Sequence, residues 1–200
     1  MTIKREAAFH EAGHAVAVYR SRFYKVAGPI NLEQYGAGSI DVGLNKNKLK
    51  SNGKPADKSA ILDKEVNTDL AVILCAGLVA ERIAERRIDG IKANPKCAKP
   101  DHEFLRIKLK EAGLSQKIDG YEKDAERLLE QEWNLVMALT NYLLEMTYIY
   151  PDELHNFIKE FLQRPNTITP IQTVEQPYYN RRFISYFKGL ISYVRNLIHD

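Results

Sequence analysis

Apolar residues recur at helical spacing along most of the chain, and this pattern predicts a mostly α-helical protein. A first helix is expected from Arg5 to Arg22, a stretch without proline that is rich in alanine and valine. A wide apolar stripe predicts one long helix or two consecutive helices from Ser59 to Ile88. Further helices are expected from about Asp101 to Glu111, from Tyr121 to Met146 and from Asp152 to Leu162.

Between the first two helical regions, the pattern changes to that of short strands. The segment from Lys25 to Leu44 mixes apolar residues with glycines, and from Ile40 to Leu44 the apolar residues alternate with Asp41 and Gly43. The lysine-rich stretch from Lys46 to Lys58 predicts an exposed loop. The expected fold class is therefore mostly α within α+β, a helical bundle with a small β-sheet.

The C-terminal part of the chain has a separate pattern. After a globular domain over residues 1–163, three prolines between Arg164 and Pro177 indicate a linker over residues 164–180. Residues 181–200 predict a basic amphipathic helix. We expect this helix to pack on the domain or on a second subunit, and a peripheral contact with a membrane surface is the alternative.

Composition and charge narrow the class of protein. Of the 200 residues, 44% are hydrophobic and 28% are charged, which is typical of a folded domain. The net charge of +3, without a dense lysine and arginine block, does not favour nucleic acid as a partner. Three features predict a cytoplasmic protein. The chain has only two cysteines, its first residues leave no room for a signal peptide, and its longest apolar run, Leu70 to Ala80, is too short to cross a bilayer as a helix.

The first predicted helix carries the run His10-Glu11-Ala12-Gly13-His14, an H-E-x-x-H motif. Residues four apart lie on one helix face, so the two histidines can bind one Zn²⁺ while Glu11 deprotonates a water. The implied reaction is hydrolysis of an amide bond. Glycine inside a helix costs about 0.5 to 1 kcal/mol relative to alanine, which predicts that another backbone approaches closely at Gly13.

A catalytic zinc has three protein ligands, so the two histidines need a third residue from elsewhere. The metzincin pattern is excluded, because Arg20 stands where that pattern has its third histidine. Spacing alone leaves several donors open, namely Glu81, Glu85, Cys97, Asp101 and His102. Asp101 also directly follows Pro100, a position typical of an acidic residue in the first turn of a helix or of a helix cap.

The motif and its flanks resemble a known family. The stretch from Ala8 to Ala15 is similar to the peptidase domain of the FtsH family of ATP-dependent zinc metalloproteases, and Ala76 to Ile83 resembles that family's Gly-Gly-Arg-x-Ala-Glu-Glu helix. The resemblance implies a zincin-like, FtsH-type peptidase domain with Asp101 as third ligand and Glu81 in the surrounding shell. It also implies that Gly38 to Leu44 is the edge strand for an extended substrate.

The residues of that strand expected to border the substrate are Gly38, Ser39, Ile40, Asp41 and Val42. The chain departs from the family at two places. Ala76 stands where the family has its first glycine, and the segment from Pro95 to His102 differs from the family's ligand segment. His102 therefore stays a rival to Asp101 as third ligand. The phosphate loop G-x-x-x-x-G-K-[S/T] of the family's ATPase module does not occur, and no transmembrane helix is expected before the domain.

Together these features predict a zinc-dependent metalloendopeptidase with Glu11 as general base and His10, His14 and Asp101 as zinc ligands. The expected substrate is a peptide or an unfolded protein segment. Two alternatives stay open: a catalytically silent zinc-binding module, and the peptidase subunit of a complex with a separate ATPase. A homo-oligomer is a further expected assembly.

Overall fold

Helices make up most of the structure, a computed structural model that describes residues 5–32 and 40–163. Seven α-helices occur in this described part: α1 (Arg5–Arg20), α2 (Lys46–Ser51), α3 (Lys64–Arg87), α4 (Lys99–Glu111), α5 (Asp119–Gln131), α6 (Trp133–Met146) and α7 (Pro151–Gln163). Four short strands accompany them: β1 (Tyr24–Val26), β2 (Ile30–Asn31), β3 (Val42–Leu44) and β4 (Tyr148–Ile149). A 3₁₀-helix, Lys58–Leu62, precedes α3. The predicted mostly α class is therefore confirmed.

The core is organised around α1 and α3. Every residue of α1 from Ala8 to Val18 is buried, and α3 packs against α1, α4 and α5. Gly13 allows the two long helices to approach closely: a Cβ at this position would lie 2.5 Å from the carbonyl oxygen of Ala76 and 2.6 Å from Cβ of Ala80. The close backbone approach predicted at Gly13 is confirmed.

The β structure consists of two antiparallel strand pairs in place of the single small sheet expected. Strand β1 pairs with β3, with Tyr24 opposite Leu44, and β2 pairs with β4, with Ile30 opposite Ile149. Strand β4 follows α6 directly and was not predicted, because a two-residue strand has too short a pattern to detect and depends on its distant partner.

Part of the expected substrate strand coincides with β3. The strand itself is Val42–Leu44, and Ile40 and Asp41 precede it. The backbone pairing extends one residue further, because the Ala27 N–H donates to the Asp41 carbonyl at 2.8 Å. Gly38 and Ser39 lie outside the described residues.

The loop predicted over residues 46–58 is wrong over residues 46–51, which form helix α2, and is confirmed over residues 52–57, which contain no helix or strand. Asn45 caps this helix: its side-chain oxygen accepts hydrogen bonds from the N–H groups of Asn47 and Lys48 at 3.0 and 3.2 Å. Asn45 therefore marks the start of α2 in the sequence, although the lysine-rich composition that follows it had favoured a loop.

The single helix predicted from Tyr121 to Met146 is also wrong, because it breaks at Glu132 between α5 and α6. Neither proline nor glycine marks the break. Contacts with α1 accompany it: the Glu132 carboxylate pairs with Arg20 at 2.9 Å, and the Trp133 ring stacks on Phe9 with centroids 5.9 Å apart. Tertiary contacts therefore set the helix boundary.

Two further predictions concern the C-terminal part. The linker over residues 164–180 and the amphipathic helix over residues 181–200 lie outside the described residues. Within the described part, every helix is too short or too polar to cross a lipid bilayer.

Candidate metal centre

Side chains from α1 and α4 converge on one point. The Nε2 atoms of His10 and His14 lie 3.0 Å apart. The Asp101 Oδ2 atom lies 3.2 Å from Nε2 of His10 and 3.5 Å from Nε2 of His14. Among the described residues, this is the one group of three histidine, cysteine or acidic side chains with the spacing for a metal ion.

The spacing of these three atoms fits a zinc ion. Ligands at about 2.0 to 2.2 Å from a tetrahedral zinc lie about 3.3 to 3.5 Å from one another, so shifts of a few tenths of an ångström are enough to accommodate it. The side chains of His10 and His14 are 8% and 4% exposed, whereas that of Asp101 is 26% exposed. The group is therefore open to solvent beside Asp101, and a catalytic metal site needs such an opening for water and substrate.

The other ring nitrogen of each histidine is already engaged. Nδ1–H of His14 donates to the Ile73 carbonyl at 2.7 Å, and Nδ1–H of His10 donates to Oε1 of Glu81 at 2.6 Å. In the neutral rings, both Nε2 atoms then carry lone pairs. Two ring nitrogens and a carboxylate oxygen facing one another can share a proton or hold a metal ion, and such outer hydrogen bonds are the usual support of zinc-binding histidines.

Helix α3 supplies this support from a single ridge. Ile73, Gly77 and Glu81 follow one another at intervals of four and so lie on the same helix face. A Cβ at Gly77 would lie 2.5 Å from the Nε2 atoms of both His10 and His14. Glycine is therefore required at this position for α3 to pass directly beneath the converging nitrogens.

Glu81 also reaches the segment that leads into α4. Its second oxygen, Oε2, accepts a hydrogen bond from the Asn94 N–H at 2.6 Å, while Oε1 accepts from His10. One buried carboxylate thus connects the first histidine to the segment that leads into α4, the helix that carries Asp101. Sequence analysis missed Asn94, because a backbone donor in a loop leaves no signal in the residue pattern.

Asp101 lies in the first turn of α4, as its position after Pro100 predicts, but it is not a helix cap. The N-cap residue is Ala98, and no side chain caps this end. The Asp101 carboxylate is instead in hydrogen-bond contact with His10. The fixed φ of Pro100 in the first turn favours the start of α4, the helix that carries Asp101.

Glu11 is buried beside the converging ligands. Its residue exposure is 3%, and its Oε2 atom has no hydrogen-bond partner. Burial raises the pKa of Glu11, and the positive charges of His14 and His10 offset part of that effect. An unpaired buried carboxylate costs stability, and here it is available to accept a proton.

The remaining charges of the site show how strongly the three ligands interact. Burial disfavours a charged His10, but hydrogen bonds with Asp101 and Glu81 outweigh burial and raise the pKa of His10 to about 10. Burial likewise opposes a charged Asp101, yet its hydrogen bonds with His10 and His14 lower its pKa. Both directions indicate that the group stabilises a positive charge.

The other candidate ligands lie away from this group. Glu85 and Cys97 are exposed, and the Cys97 Sγ atom is 3.1 Å from the Asn94 side-chain amide. His102 Nε2 is 3.9 Å from Oε1 of Glu122 and does not belong to the converging group. Glu81 bonds to a ligand without joining the converging atoms.

No protein-family model and no curated protein matches the sequence. A function for this chain is therefore inferred from the side chains themselves.

Proposed function

We propose that this protein is a zinc-dependent metalloendopeptidase that holds its metal with His10, His14 and Asp101. One observation carries the proposal: two histidine nitrogens and a carboxylate oxygen converge within 3.5 Å of one another, and the neighbouring buried Glu11 has an Oε2 atom without a hydrogen-bond partner. A purely structural metal site needs no such carboxylate. The pairing of ligands with a base supports hydrolysis.

Bound zinc supplies a Lewis acid that acidifies a water and polarises a carbonyl oxygen. The chain's own residues set the conditions for this chemistry. Glu81 and the Ile73 carbonyl hold the two imidazoles in the neutral tautomer that presents Nε2. Asp101 adds one negative charge and leaves the solvent side open.

Glu11 acts as the general base in this proposal. It takes a proton from the attacking water and passes it to the amine that leaves when the peptide bond breaks. Burial raises the pKa of its carboxyl group towards neutral pH, and a general base works best when its pKa is near the working pH. No other hydrogen bond competes for its Oε2 atom.

The finer assignment follows the sequence resemblance described above. We propose an FtsH-type, zincin-like peptidase of the cytoplasm whose substrates are peptides or unfolded segments lying along residues 40–44. Oligomerisation belongs to the same proposal, whereas a peptidase subunit that receives its substrate from a separate ATPase is the alternative to it.

Metal dependence and ligand identity test the proposal together. The purified full chain is expected to bind one zinc, to cleave the disordered protein casein, and to lose cleavage with a chelator and regain it with zinc. Asp101→Ala is expected to lower zinc affinity at least about 100-fold, since even outer-shell partners contribute 10- to 100-fold. His102→Ala is the matched control, one residue away.

Zinc affinity lost in His102→Ala and kept in Asp101→Ala would contradict the ligand set. Stoichiometric zinc with no cleavage of casein or of short peptides would favour the silent zinc-binding module instead.

A further inference from the structure

Residues 88–98 join α3 to α4 and contain no helix or strand. The last of them, Ala98, is fully buried. The segment meets the support of the metal centre at Asn94, whose N–H donates to Glu81 Oε2 at 2.6 Å. Asn94 therefore lies where the chain between the two helices contacts the carboxylate that also accepts from His10.

Asn94 begins a tight turn that leads towards α4. Its carbonyl accepts a hydrogen bond from the Cys97 N–H at 2.9 Å, and its side-chain Oδ1 accepts from the Lys96 N–H at 3.2 Å. Asparagine at the first position and proline at the second are typical of such turns, and Pro95 follows Asn94. Two hydrogen bonds and a fixed proline φ thus define the direction in which the chain leaves Glu81.

The Asn94–Cys97 turn is followed almost directly by the helix that carries the third ligand. Helix α4 begins at Lys99, directly after its N-cap residue Ala98, and no side chain caps this end. The start of α4 is therefore set by the chain that precedes it and by the fixed φ of Pro100. Because Asp101 lies in the first turn of α4, a shift of the Asn94–Cys97 turn moves this ligand with it.

We propose that Asn94 is a positioning residue for the third zinc ligand. The Asn94–Cys97 turn joins the Glu81 carboxylate, which orients His10, to the helix that presents Asp101. A ligand held in place before the metal arrives loses less conformational freedom when the metal binds. Asn94 thus raises zinc affinity through Asp101 without touching the metal. This inference rests on the ligand set of the proposed peptidase.

A double-mutant cycle on the full chain tests this role, with zinc affinity measured by competition with a chromogenic chelator. Asn94→Ala removes the oxygen that accepts from Lys96 and is expected to lower zinc affinity about tenfold, the smaller end of outer-shell effects. In an Asp101→Ala background, the same substitution should change zinc affinity by no more than about twofold, because no third ligand is left to position. An equal loss of affinity in both backgrounds would mean a general loss of structure and would overturn the proposal.

Two further variants control for the loss of a turn. Asn94→Asp keeps an oxygen that can accept from Lys96 and should keep wild-type zinc affinity. Asn45→Ala is the matched control, because the Asn45 side chain accepts from backbone N–H groups in a similar way at the start of α2. It should lower the urea midpoint and leave zinc affinity unchanged. If it lowered zinc affinity as much as Asn94→Ala does, the specific role of Asn94 would be refuted.

Hydrogen exchange tests the same link without a substitution at Asn94. Coupling between two sites is reciprocal, so a turn that stabilises bound zinc must itself be stabilised by zinc. In the wild-type chain, zinc is expected to slow exchange at the amides of Asn94, Lys96 and Cys97, with α2 as the control segment. Equal exchange of these amides with and without bound zinc would overturn the proposal, even if Asn94→Ala fails to fold.

The outcomes separate this inference from the proposed function. If wild type binds zinc and cleaves casein while Asn94→Ala folds and binds zinc equally well, the positioning role is refuted and the peptidase stands. If wild type binds zinc and cleaves neither casein nor short peptides while the cycle behaves as expected, the peptidase is refuted and the positioning role stands. A wild-type chain that binds no zinc would overturn both.

Discussion

Two polar clusters are built on α1, the metal centre along its middle and a second one where the helix ends. We call the second the helix-end cluster, which consists of Ser21, Lys48 and Asp69. The Lys48 ammonium donates to the carbonyls of Ser21 and Tyr24, each at 2.8 Å, and to that of Val18 at 3.3 Å. The Ser21 hydroxyl donates to Asp69 at 2.6 Å. Donors in this cluster are matched with acceptors.

The candidate metal centre is different, because not every buried polar atom there has a hydrogen-bond partner. Nε2 of His10, Nε2 of His14 and a carboxylate oxygen of Asp101 converge, and Glu11 Oε2 has no partner. Matched polar groups stabilise a fold, whereas unmatched buried groups cost stability. The helix-end cluster therefore stabilises the fold, whereas the candidate metal centre contains a buried carboxylate oxygen that costs stability.

The largest effect on this comparison is expected from Gly77→Ala. The added Cβ would lie 2.5 Å from both histidine Nε2 atoms, so the two rings have to move apart. We expect zinc affinity to fall more than about 100-fold, measured by competition with a chromogenic chelator. Gly120→Ala, where a Cβ meets nothing within 4 Å, is the control. Unchanged zinc affinity in Gly77→Ala would contradict the ligand geometry.

Lys48→Met should have the next largest effect, and on stability alone. Methionine keeps an unbranched side chain but leaves three backbone carbonyls around the end of α1 without their donor. We expect the free energy of unfolding to fall by about 2 kcal/mol in urea, with zinc affinity unchanged. The exposed Lys46→Met is the control. A loss below about 0.5 kcal/mol, typical of surface changes, would remove the contrast between the clusters.

Glu11→Gln should have the smallest effect and the opposite sign. With a chelator present at pH 7, removing the buried charge should raise the free energy of unfolding by about 1 kcal/mol. Because burial raises the folded-state pKa of Glu11 above the ordinary 4.5, the penalty is absent below that pH and grows as pH rises towards the folded pKa.

The gain should therefore be seen at pH 7 and vanish near pH 4 in urea denaturation. Glu85→Gln, at an exposed position, should show no such pH dependence. A Glu11→Gln protein less stable than wild type at pH 7 would mean that this carboxylate is structural, as in the helix-end cluster.

The local parts of this arrangement could be predicted from the sequence. Periodicity located most of the helices, and the spacing of His10 and His14 predicted one shared face. The glycine inside α1 predicted the close approach of a second helix, and the space at Gly13 beside Ala76 confirms it. Each of these features is encoded within one or two helix turns.

The non-local parts could not be predicted in the same way. Spacing left five candidates for the third ligand, and Asp101 was selected only through a family resemblance. The role of Lys48 depends on α2, which was predicted as a loop, and on carbonyls more than twenty residues away in the chain. The helix break at Glu132 depends on contacts with Arg20 and with the residues that pack around Trp133. Such features are set by the packing of distant segments.

Glu11, whose buried Oε2 atom has no hydrogen-bond partner, is proposed to be a general base beside a bound zinc. The most direct measurement is casein cleavage per bound zinc by wild type and Glu11→Gln, with zinc content determined on the same samples. We expect stoichiometric zinc in both proteins and a fall in kcat of about 10²- to 10⁴-fold in the variant, the usual contribution of a general base. Equal cleavage by two proteins with equal zinc would contradict it.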